Sequence, residues 1–240
     1  MIKQVDITEI NQDENLFLTK IKANAICYNK FDFCSSYLQT IDGKQTALIN
    51  VLSANATVFA NENALFSELC EFLKFKGVVN IFCNKLFAEK TGLKITENGL
   101  VLKFLGKTMN MDNILKPTFN PNYKSIYSLL KNEFEMPDYN EFVSDLSYRL
   151  QKGLATVVSD EKGVAFTLWE TENAAVISAL SVDITLRRQG VGSRILHSLI
   201  SALEKKQIYV YCEEKLKNFY IKNGFEIIDE YFVGKDFKYI

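Results

Sequence analysis

The segment of residues 174–206 constrains the fold of this chain most, because it joins an apolar strand to an amphipathic helix through a basic turn that contains glycine. The apolar run predicts a strand over residues 174–182. Apolar residues then recur at three- and four-residue intervals, which predicts a helix with one buried face. That face consists of Gly192, Ile195, Leu196, Leu199 and Leu203. The basic turn, residues 187–192, therefore lies at the first turn of the helix.

This turn has the chemistry of an anion site. The first N–H groups of a helix lack partners and carry a partial positive charge, so an anion is stabilised there. Gly190 and Gly192 have no β-carbon, which lets a pyrophosphate approach the backbone, and Arg187 or Arg188 can add charged hydrogen bonds. Two glycines near a cation also occur in ordinary turns, and the spacing by itself does not distinguish the two interpretations.

A second pattern follows at residues 218–228, which read NFYIKNGFEII. It has an asparagine, a tyrosine two residues later, and Gly-Phe before a predicted strand. With Arg187, Gly190 and Gly192 in the arrangement Q/R-x-x-G-x-G/A, residues 154–240 resemble the GNAT superfamily of N-acetyltransferases. The resemblance implies an α/β (α+β) fold, with a mixed, mostly antiparallel twisted sheet flanked by helices.

The resemblance implies acetyl-CoA (coenzyme A) as co-substrate. Its pyrophosphate would lie over residues 189–193, and its pantetheine arm would pair with the strand that ends at Val182. The implied cofactor-binding residues are Leu180, Val182, Arg187, Arg188, Gln189, Gly190, Val191, Gly192, Ser193 and Asn218. Tyr220 would be the catalytic general acid that protonates or hydrogen-bonds the departing sulfur. Taken alone, Tyr220 reads as a packed aromatic residue, and Asn218 as a helix cap.

The implied reaction is direct attack of a primary amine of a small molecule or peptide on the thioester, in a ternary complex. Some members of the superfamily use a glutamate as the general base. At the comparable position this chain has Val176. Other acidic residues on predicted loops or nearby helices are Glu133, Glu135, Asp138, Glu170 and Glu172. Such residues are mostly solvated, and a chain of water is an equal alternative. A non-catalytic acyl-CoA-binding regulatory module is the second hypothesis; the acceptor, the acyl length and the oligomeric state stay open.

Composition narrows the class of protein. The chain has 240 residues, 48% of them hydrophobic and 24% charged, as in soluble globular proteins. Its formal net charge of −1 implies no nucleic-acid partner. No secretion signal or membrane span is recognised, which predicts a cytoplasmic protein. The five cysteines lack C-x-x-C spacing and are predicted to be buried free thiols, and no metal site is expected. The single histidine, His197, is predicted to be a surface residue.

The two halves of the chain share an order of elements, which predicts two tandem GNAT-like domains. Residues 81–83 (IFC) align with residues 210–212 (VYC), and the segments that follow each run short helix, glycine, strand. We predict a degenerate GNAT-like N-terminal domain over residues 1–105, a linker over 106–120 and a catalytic GNAT acetyltransferase domain over 121–240. The first half lacks the glycine pair and arginine, so it is expected to be structural or to face the substrate.

Local patterns predict the elements that surround these motifs. In the first half we expect hairpin turns at Asp42-Gly43 and Asn98-Gly99, and a helix capped by Asn61 or Asn63 with Leu65 and Leu69 inward. In the second half, helices interrupted at Pro137 precede the remaining elements. These are strands at residues 154–158, 163–170, 174–182 and 207–212, a helix at 215–223, a strand from 225, and closing residues 235–240 paired beside it.

Overall fold

The computed structural model describes residues 1–6, 9–10, 13–106, 114–203 and 205–237. Its strands are β1 (Ile2–Gln4), β2 (Cys34–Ile41), β3 (Lys44–Leu52), β4 (Asn55–Ala60), β5 (Asn80–Asn84), β6 (Leu93–Phe104), β7 (Val157–Asp160), β8 (Gly163–Glu170), β9 (Ala174–Val182), β10 (Gln207–Cys212) and β11 (Phe225–Phe237). Its helices are α1 (Leu16–Tyr28), α2 (Phe66–Phe75), α3 (Lys85–Thr91), α4 (Tyr123–Leu130), α5 (Tyr139–Gln151), α6 (Val191–Ala202) and α7 (Lys217–Lys222). No helix within these described stretches is both long and apolar enough to cross a bilayer.

The order of elements confirms the predicted tandem fold. The first half runs β2-β3-β4-α2-β5-α3-β6, and the second half runs β7-β8-β9-α6-β10-α7-β11. In each half the strand before the long helix pairs in parallel with the strand after it, β4 with β5 and β9 with β10. A parallel pair needs a crossover, and the helix supplies it.

The chain forms two compact units whose boundaries differ from the halves of the sequence. Unit 1 comprises residues 1–102, 211–217 and 227–240, and unit 2 comprises residues 103–210 and 218–226. One cause is that β11, the last strand of the second half, pairs antiparallel with β5 of the first half, with Tyr231 opposite Asn84 and Gly234 opposite Ile81. The division into domains at residues 106–120 stays a prediction, and residues 107–113 lie outside the described part.

In unit 1, a mixed and mainly antiparallel sheet of order β1-β2-β3-β4-β5-β11-β6 is covered by helices on two faces. Side chains alternate between the faces of a strand. Leu38 and Leu48 pack with Leu18 and Ile21 of α1, while Tyr37 and the residues on its face of the sheet pack with α2 and α3. The predicted Asp42-Gly43 hairpin is confirmed, since both residues have positive φ (49° and 76°) between β2 and β3.

Two predictions for the first half are wrong. Residues 93–104 form one strand, β6, and Gly99 lies within it. A β-carbon on Gly99 would lie 2.3 Å from the Cys212 carbonyl oxygen, so glycine here serves close packing. Helix α2 has Leu65 at its N-cap with no side-chain cap, and Leu65 is exposed, whereas Leu69 is buried as predicted.

In unit 2 the strands β10-β9-β8-β7 are neighbours in that order. The predicted ranges of β8, β9 and β10 are confirmed, and β7 occupies residues 157–160 rather than 154–158. Helices α4 and α5 contribute Ile126, Leu130, Phe142, Leu146 and Leu150 to a core with Val157, Val164 and Phe166. The C-terminal strand was expected to have a partner at residues 235–240. Instead β11 continues to Phe237, and residues 238–240 lie outside the described part.

Candidate active site

The basic turn forms the start of helix α6, as the sequence predicts. Gly190 is its N-cap and has the left-handed conformation (φ 81°), in which a side chain would be strained. No side chain in the described part of the chain caps this helix, and its first backbone bond runs from the Arg194 N–H to the Gly190 carbonyl (3.0 Å). The N–H groups of Val191, Gly192 and Ser193 therefore have no partner within the helix. Residues 187–190 are exposed, so an anion can reach these groups.

The two glycines of the motif differ in their surroundings. A β-carbon added to Gly190 would meet no atom within 4 Å, so the space beside the turn is open. A β-carbon on Gly192 would lie 3.6 Å from Phe219 and from Val182, which is ordinary van der Waals contact. Gly192 thus marks the place where α7 and the end of β9 approach the first turn of α6. The predicted cofactor segments are brought together there.

Strand β9 has an unpaired edge beside this turn. Its parallel pairing with β10 ends at Ile177 opposite Val210, whereas β9 continues to Val182. The register of β8 against β9 shifts at the same place, which leaves Ser178 as an extra residue in a β-bulge. A bulge bends a strand, and here the bend coincides with the end of the pairing between β9 and β10, while β9 stays paired with β8. Leu180 and Val182 are half-buried on this edge, as expected for residues whose backbone meets an extended ligand.

Arg187 is held by the protein itself. Its Nε donates to the Val182 carbonyl (3.1 Å), and its Nη2 donates to Glu133 Oε1 (2.5 Å), which makes an ion pair. Arg188 is exposed and has positive φ (62°). The Gln189 side chain donates to the Thr185 carbonyl (3.2 Å), which fastens the turn to the short 3-10 helix Ile184–Leu186 before it.

Helix α7 carries the two predicted residues of the second pattern. Tyr220 is buried (6% exposed), and its ring makes edge contacts with Phe219 (5.1 Å between centroids) and Phe225 (5.5 Å). Asn218 is exposed. The role of each stays a prediction, because the contacts position Tyr220 without assigning its chemistry.

The acidic candidates divide into those near the turn and those far from it. Glu170 is buried and accepts hydrogen bonds from Thr167 and from Lys206 (2.7 Å), and it pairs across from Ala175, at the other end of β9 from Val182. Glu172 is exposed at that same end. Glu133 alone of the five makes a described contact with the motif, through Arg187. Val176 is fully buried.

The prediction that His197 lies on the surface is wrong. It is 1% exposed on α6, and neither ring nitrogen has a hydrogen-bond partner among the residues that the structure describes. Its ring meets Phe104 edge-on (6.4 Å), and the Asn223 amide nearby donates to the Phe219 carbonyl (2.7 Å). Burial lowers the pKa of His197 below 6.5, and Asn223 offsets this only in part. The helical spacing placed His197 beside the buried face rather than in it. The prediction failed because the residue that covers His197, Phe104 of β6, is distant from it in sequence.

The cysteines are free thiols, and their predicted burial is confirmed for Cys27, Cys70, Cys83 and Cys212, whereas Cys34 is half-buried. Burial raises the pKa of Cys70 and Cys212 to about 11, so both thiols are protonated at neutral pH. Among the described residues, no group of three or more His, Cys, Asp or Glu side chains is placed to hold a metal ion.

In the first half, a buried side chain bonds the backbone of the residue at which the corresponding helix, α2, begins. Gln39 is fully buried, and its Oε1 accepts from the backbone N–H of Leu65 (3.0 Å), the N-cap of α2. Its Nε2 donates to the Leu65 carbonyl (3.1 Å) and to Glu68 (2.6 Å). These bonds engage the N-cap residue of α2, and the N–H groups of its first turn have no side-chain cap from the described residues. The sequence gives no local sign of this, because Gln39 precedes the helix by a whole hairpin.

The edge of the strand before α2 is closed as well. The side chain of Asn84, at the end of β5, donates to the Ala60 carbonyl (2.8 Å) and accepts from the Ala60 N–H (3.2 Å). Ala60 ends β4, beyond the last parallel pair of Val58 and Cys83. A carboxamide therefore makes the hydrogen bonds that an extended ligand would make on the corresponding part of β9.

Comparison with known proteins agrees with these observations. Residues 131–240 match the family model of the acetyltransferase (GNAT) domain. No curated protein was found to match the chain.

Three solved structures illustrate the likeness in fold. A GNAT-family acetyltransferase from Colwellia psychrerythraea is 11% identical, with a TM-score of 0.59 over 99% of this chain and 100% of that one. A GCN5-related N-acetyltransferase from Sphaerobacter thermophilus is 13% identical, with a TM-score of 0.56 over 84% and 80%. A tandem GNAT protein from the clavulanic acid biosynthesis pathway is 8% identical, with a TM-score of 0.51 over 99% and 98%. Residues 131–240 are therefore similar in sequence to the acetyltransferase (GNAT) domain, the chain shares the fold of these acetyltransferase structures, and its first half repeats the order of elements of its second half.

Proposed function

We propose that this protein is an N-acetyltransferase that transfers the acetyl group of acetyl-CoA to a primary amine of a small molecule or peptide, by direct attack in a ternary complex. The observation that carries the proposal is the left-handed, exposed Gly190 at the uncapped start of α6, beside the unpaired edge of β9. Both features leave backbone hydrogen-bonding groups that a diphosphate and an amide-containing arm would satisfy. The thioester supplies the activated acyl group, and the chain supplies its placement.

The residues that would hold the cofactor are those at the turn and at the strand edge. The N–H groups of Val191, Gly192 and Ser193 would donate to the diphosphate, with positive charge from Arg187 or Arg188. The backbone of Leu180 and Val182 would hydrogen-bond the pantetheine arm. Gln189 holds the turn through Thr185, and Asn218 lies exposed at the start of α7. The donor set is cationic and made of hydrogen-bond donors, which suits a diphosphate.

Tyr220 would supply the proton that the leaving thiolate requires. Its phenol would have to lie within hydrogen-bonding distance of the sulfur, about 3 Å, for such a transfer. The edge contacts with Phe219 and Phe225 fix its ring, and Phe219 also faces Gly192, so α7 is positioned relative to the cofactor turn. A ring held in this way loses little freedom when the substrates bind.

The division of labour between the halves is part of the proposal. Residues 121–240 would bind the cofactor, residues 1–105 would be the copy without that site, and residues 106–120 would link them. The hydrogen bonds of Asn84 to Ala60 support this, because they satisfy internally the backbone groups of β4 that correspond to the open edge of β9.

A non-catalytic module that binds acyl-CoA and reports it to a partner is the second candidate. The observation that favours it is the burial of Val176, where some members of the superfamily have a glutamate base. Glu170, the nearest acidic residue along β8, is engaged by Lys206 and Thr167.

One pair of measurements distinguishes the candidates. Thiol release from acetyl-CoA is followed with a panel of primary amines, and binding of CoA is measured by calorimetry. For the enzyme we expect turnover that falls about 100-fold or more in Tyr220→Phe, with little change in CoA affinity, since general acid catalysis contributes about 10²- to 10⁴-fold. Binding without turnover of any amine would favour the module, and absence of CoA binding would contradict both.

A further inference from the structure

We infer that Glu133 competes with the diphosphate of the cofactor for Arg187, so that cofactor binding must break the Arg187–Glu133 ion pair. This inference rests on the proposed function. Arg187 is the first residue of the glycine turn, and its guanidinium lies against Glu133 Oε1 (2.5 Å) and the Val182 carbonyl (3.1 Å). It therefore engages one acid and one backbone group, and the latter belongs to the edge proposed for the pantetheine arm.

The geometry explains why both contacts would have to change together. One guanidinium holds the end of β9 through Val182 and the turn after α4 through Glu133. A diphosphate at the start of α6 carries more negative charge than one carboxylate and would draw the guanidinium towards the turn. Glu133 would then lose its partner, and the Val182 carbonyl would become free to accept from the arm.

The release would loosen the end of α4. Besides the burial of Leu130 in the core, two described polar contacts fasten this end to β9 and its turn: the Arg187–Glu133 pair, and a hydrogen bond from Ser181 Oγ to the Leu129 carbonyl (3.4 Å). The backbone N–H groups of Glu133 and Phe134 both donate to the Leu130 carbonyl (2.9 Å each). When the ion pair breaks, the longer Ser181 bond remains, and these two N–H groups should exchange faster with solvent.

Both partners are accessible enough for the exchange to occur. The side chain of Arg187 is 40% exposed and that of Glu133 is 36% exposed. Ion pairs at such positions contribute little free energy, because water solvates both charges. The competition therefore lowers the affinity for the cofactor only a few-fold. An effect of this size weakens cofactor binding without preventing it.

The test is calorimetric titration of the full chain with coenzyme A at low salt. We expect Glu133→Gln to lower the Kd for CoA by about two- to fivefold, as a half-exposed pair should. The same substitution should have no effect in an Arg187→Gln background, and its effect should shrink at about 0.5 M salt, where charges are screened. Glu141→Gln is the matched control, because it removes an exposed acid at the start of α5, and it should leave the Kd unchanged.

Amide exchange gives a second reading. In the wild-type protein, CoA should accelerate exchange at residues 133 and 134, whereas in Glu133→Gln the fast exchange should be present without CoA. An unchanged or raised Kd in Glu133→Gln would overturn the inference, since the pair would then be a scaffold for Arg187. If neither the wild type nor any variant binds CoA, the proposed function itself is wrong. That result differs from an unchanged Kd, which would contradict only the competition by Glu133.

Discussion

Gly190 and Gly192 belong to one sequence pattern, yet the physical reasons for glycine differ between them. Gly190 has φ 81°, a conformation that L side chains rarely adopt, whereas Gly192 is helical, with room for a β-carbon at 3.6 Å from its neighbours. We expect Gly190→Ala to lower the free energy of unfolding by about 1 kcal/mol. Gly192→Ala should change it by less than about 0.5 kcal/mol, since alanine also favours the helix. Urea denaturation measures both; equal stabilities for the two variants would contradict this explanation.

His197 should make the stability of the protein depend on pH. Burial lowers its folded-state pKa below 6.5, so below pH 6.5 the unfolded chain takes up a proton that the folded protein does not. This contribution to stability is complete above pH 6.5 and is lost as the pH falls, by at most about 1.4 kcal/mol per pH unit.

The control is His197→Leu, which removes the titrating group and keeps an apolar helix face. When the pH is lowered from 7.5 to 5.5, the unfolding free energy of the wild type should fall relative to that of the variant. Urea titrations at the two pH values measure it. The same difference at both values would mean that the imidazole takes up its proton equally well when folded.

At the scale of elements, Gly99 shows where a local pattern misleads. An Asn-Gly pair is a strong hairpin signal, but here it lies in the middle of β6, where a β-carbon would meet the Cys212 carbonyl oxygen at 2.3 Å and the Tyr231 ring at 2.7 Å. We expect Gly99→Ala to lower the free energy of unfolding by about 1–3 kcal/mol, the usual cost of overpacking. Asn98→Ala, at the exposed neighbouring position, should be nearly neutral. A tolerated Gly99→Ala would contradict the close packing of Gly99 against Cys212 and Tyr231.

The elements that the sequence predicted correctly are those whose signal is contained in their own residues. β8, β9 and β10 are apolar runs bounded by turns, and their ends match the predicted ends. The glycine turn of α6 was also predicted from its own residues. The start of α2 was not, because the backbone N–H of its N-cap residue, Leu65, is bonded to Gln39, which no local pattern connects to this helix.

The candidate site was predictable to the same extent. The motif residues were identified, but Glu133 was only one of several acids until its contact with Arg187 was seen. The bulge at Ser178 depends on the register of β8 against β9, which a single strand does not specify. Likewise, the burial of His197 depends on Phe104, which lies in a strand far away in sequence.

At the scale of the whole molecule, the two halves have kept one fold and differ in what their backbone groups meet. The pairing of β11 with β5 also means that the last strand of the second half completes the sheet of unit 1. Removing residues 227–240 would therefore be expected to disturb the first half, although they follow the acetyltransferase motifs in sequence. The two halves repeat one order of elements, but the sheet of unit 1 needs a strand from the second half of the sequence.

The asymmetry of the two helix starts predicts one cofactor per chain. Within the described residues neither helix has a side-chain cap, but α6 begins at a left-handed glycine that follows two arginines, whereas α2 begins at Leu65, whose backbone N–H is bonded to Gln39. Gln189→Glu places a negative charge beside the α6 turn and removes the hydrogen bond to the Thr185 carbonyl, and the two effects together should weaken CoA binding by about tenfold. Asn63→Asp makes the same change before α2 and should leave the affinity unaltered. Calorimetry of the full chain should give a stoichiometry of one, and a second site or an equal effect of Asn63→Asp would show that the first half also binds the cofactor.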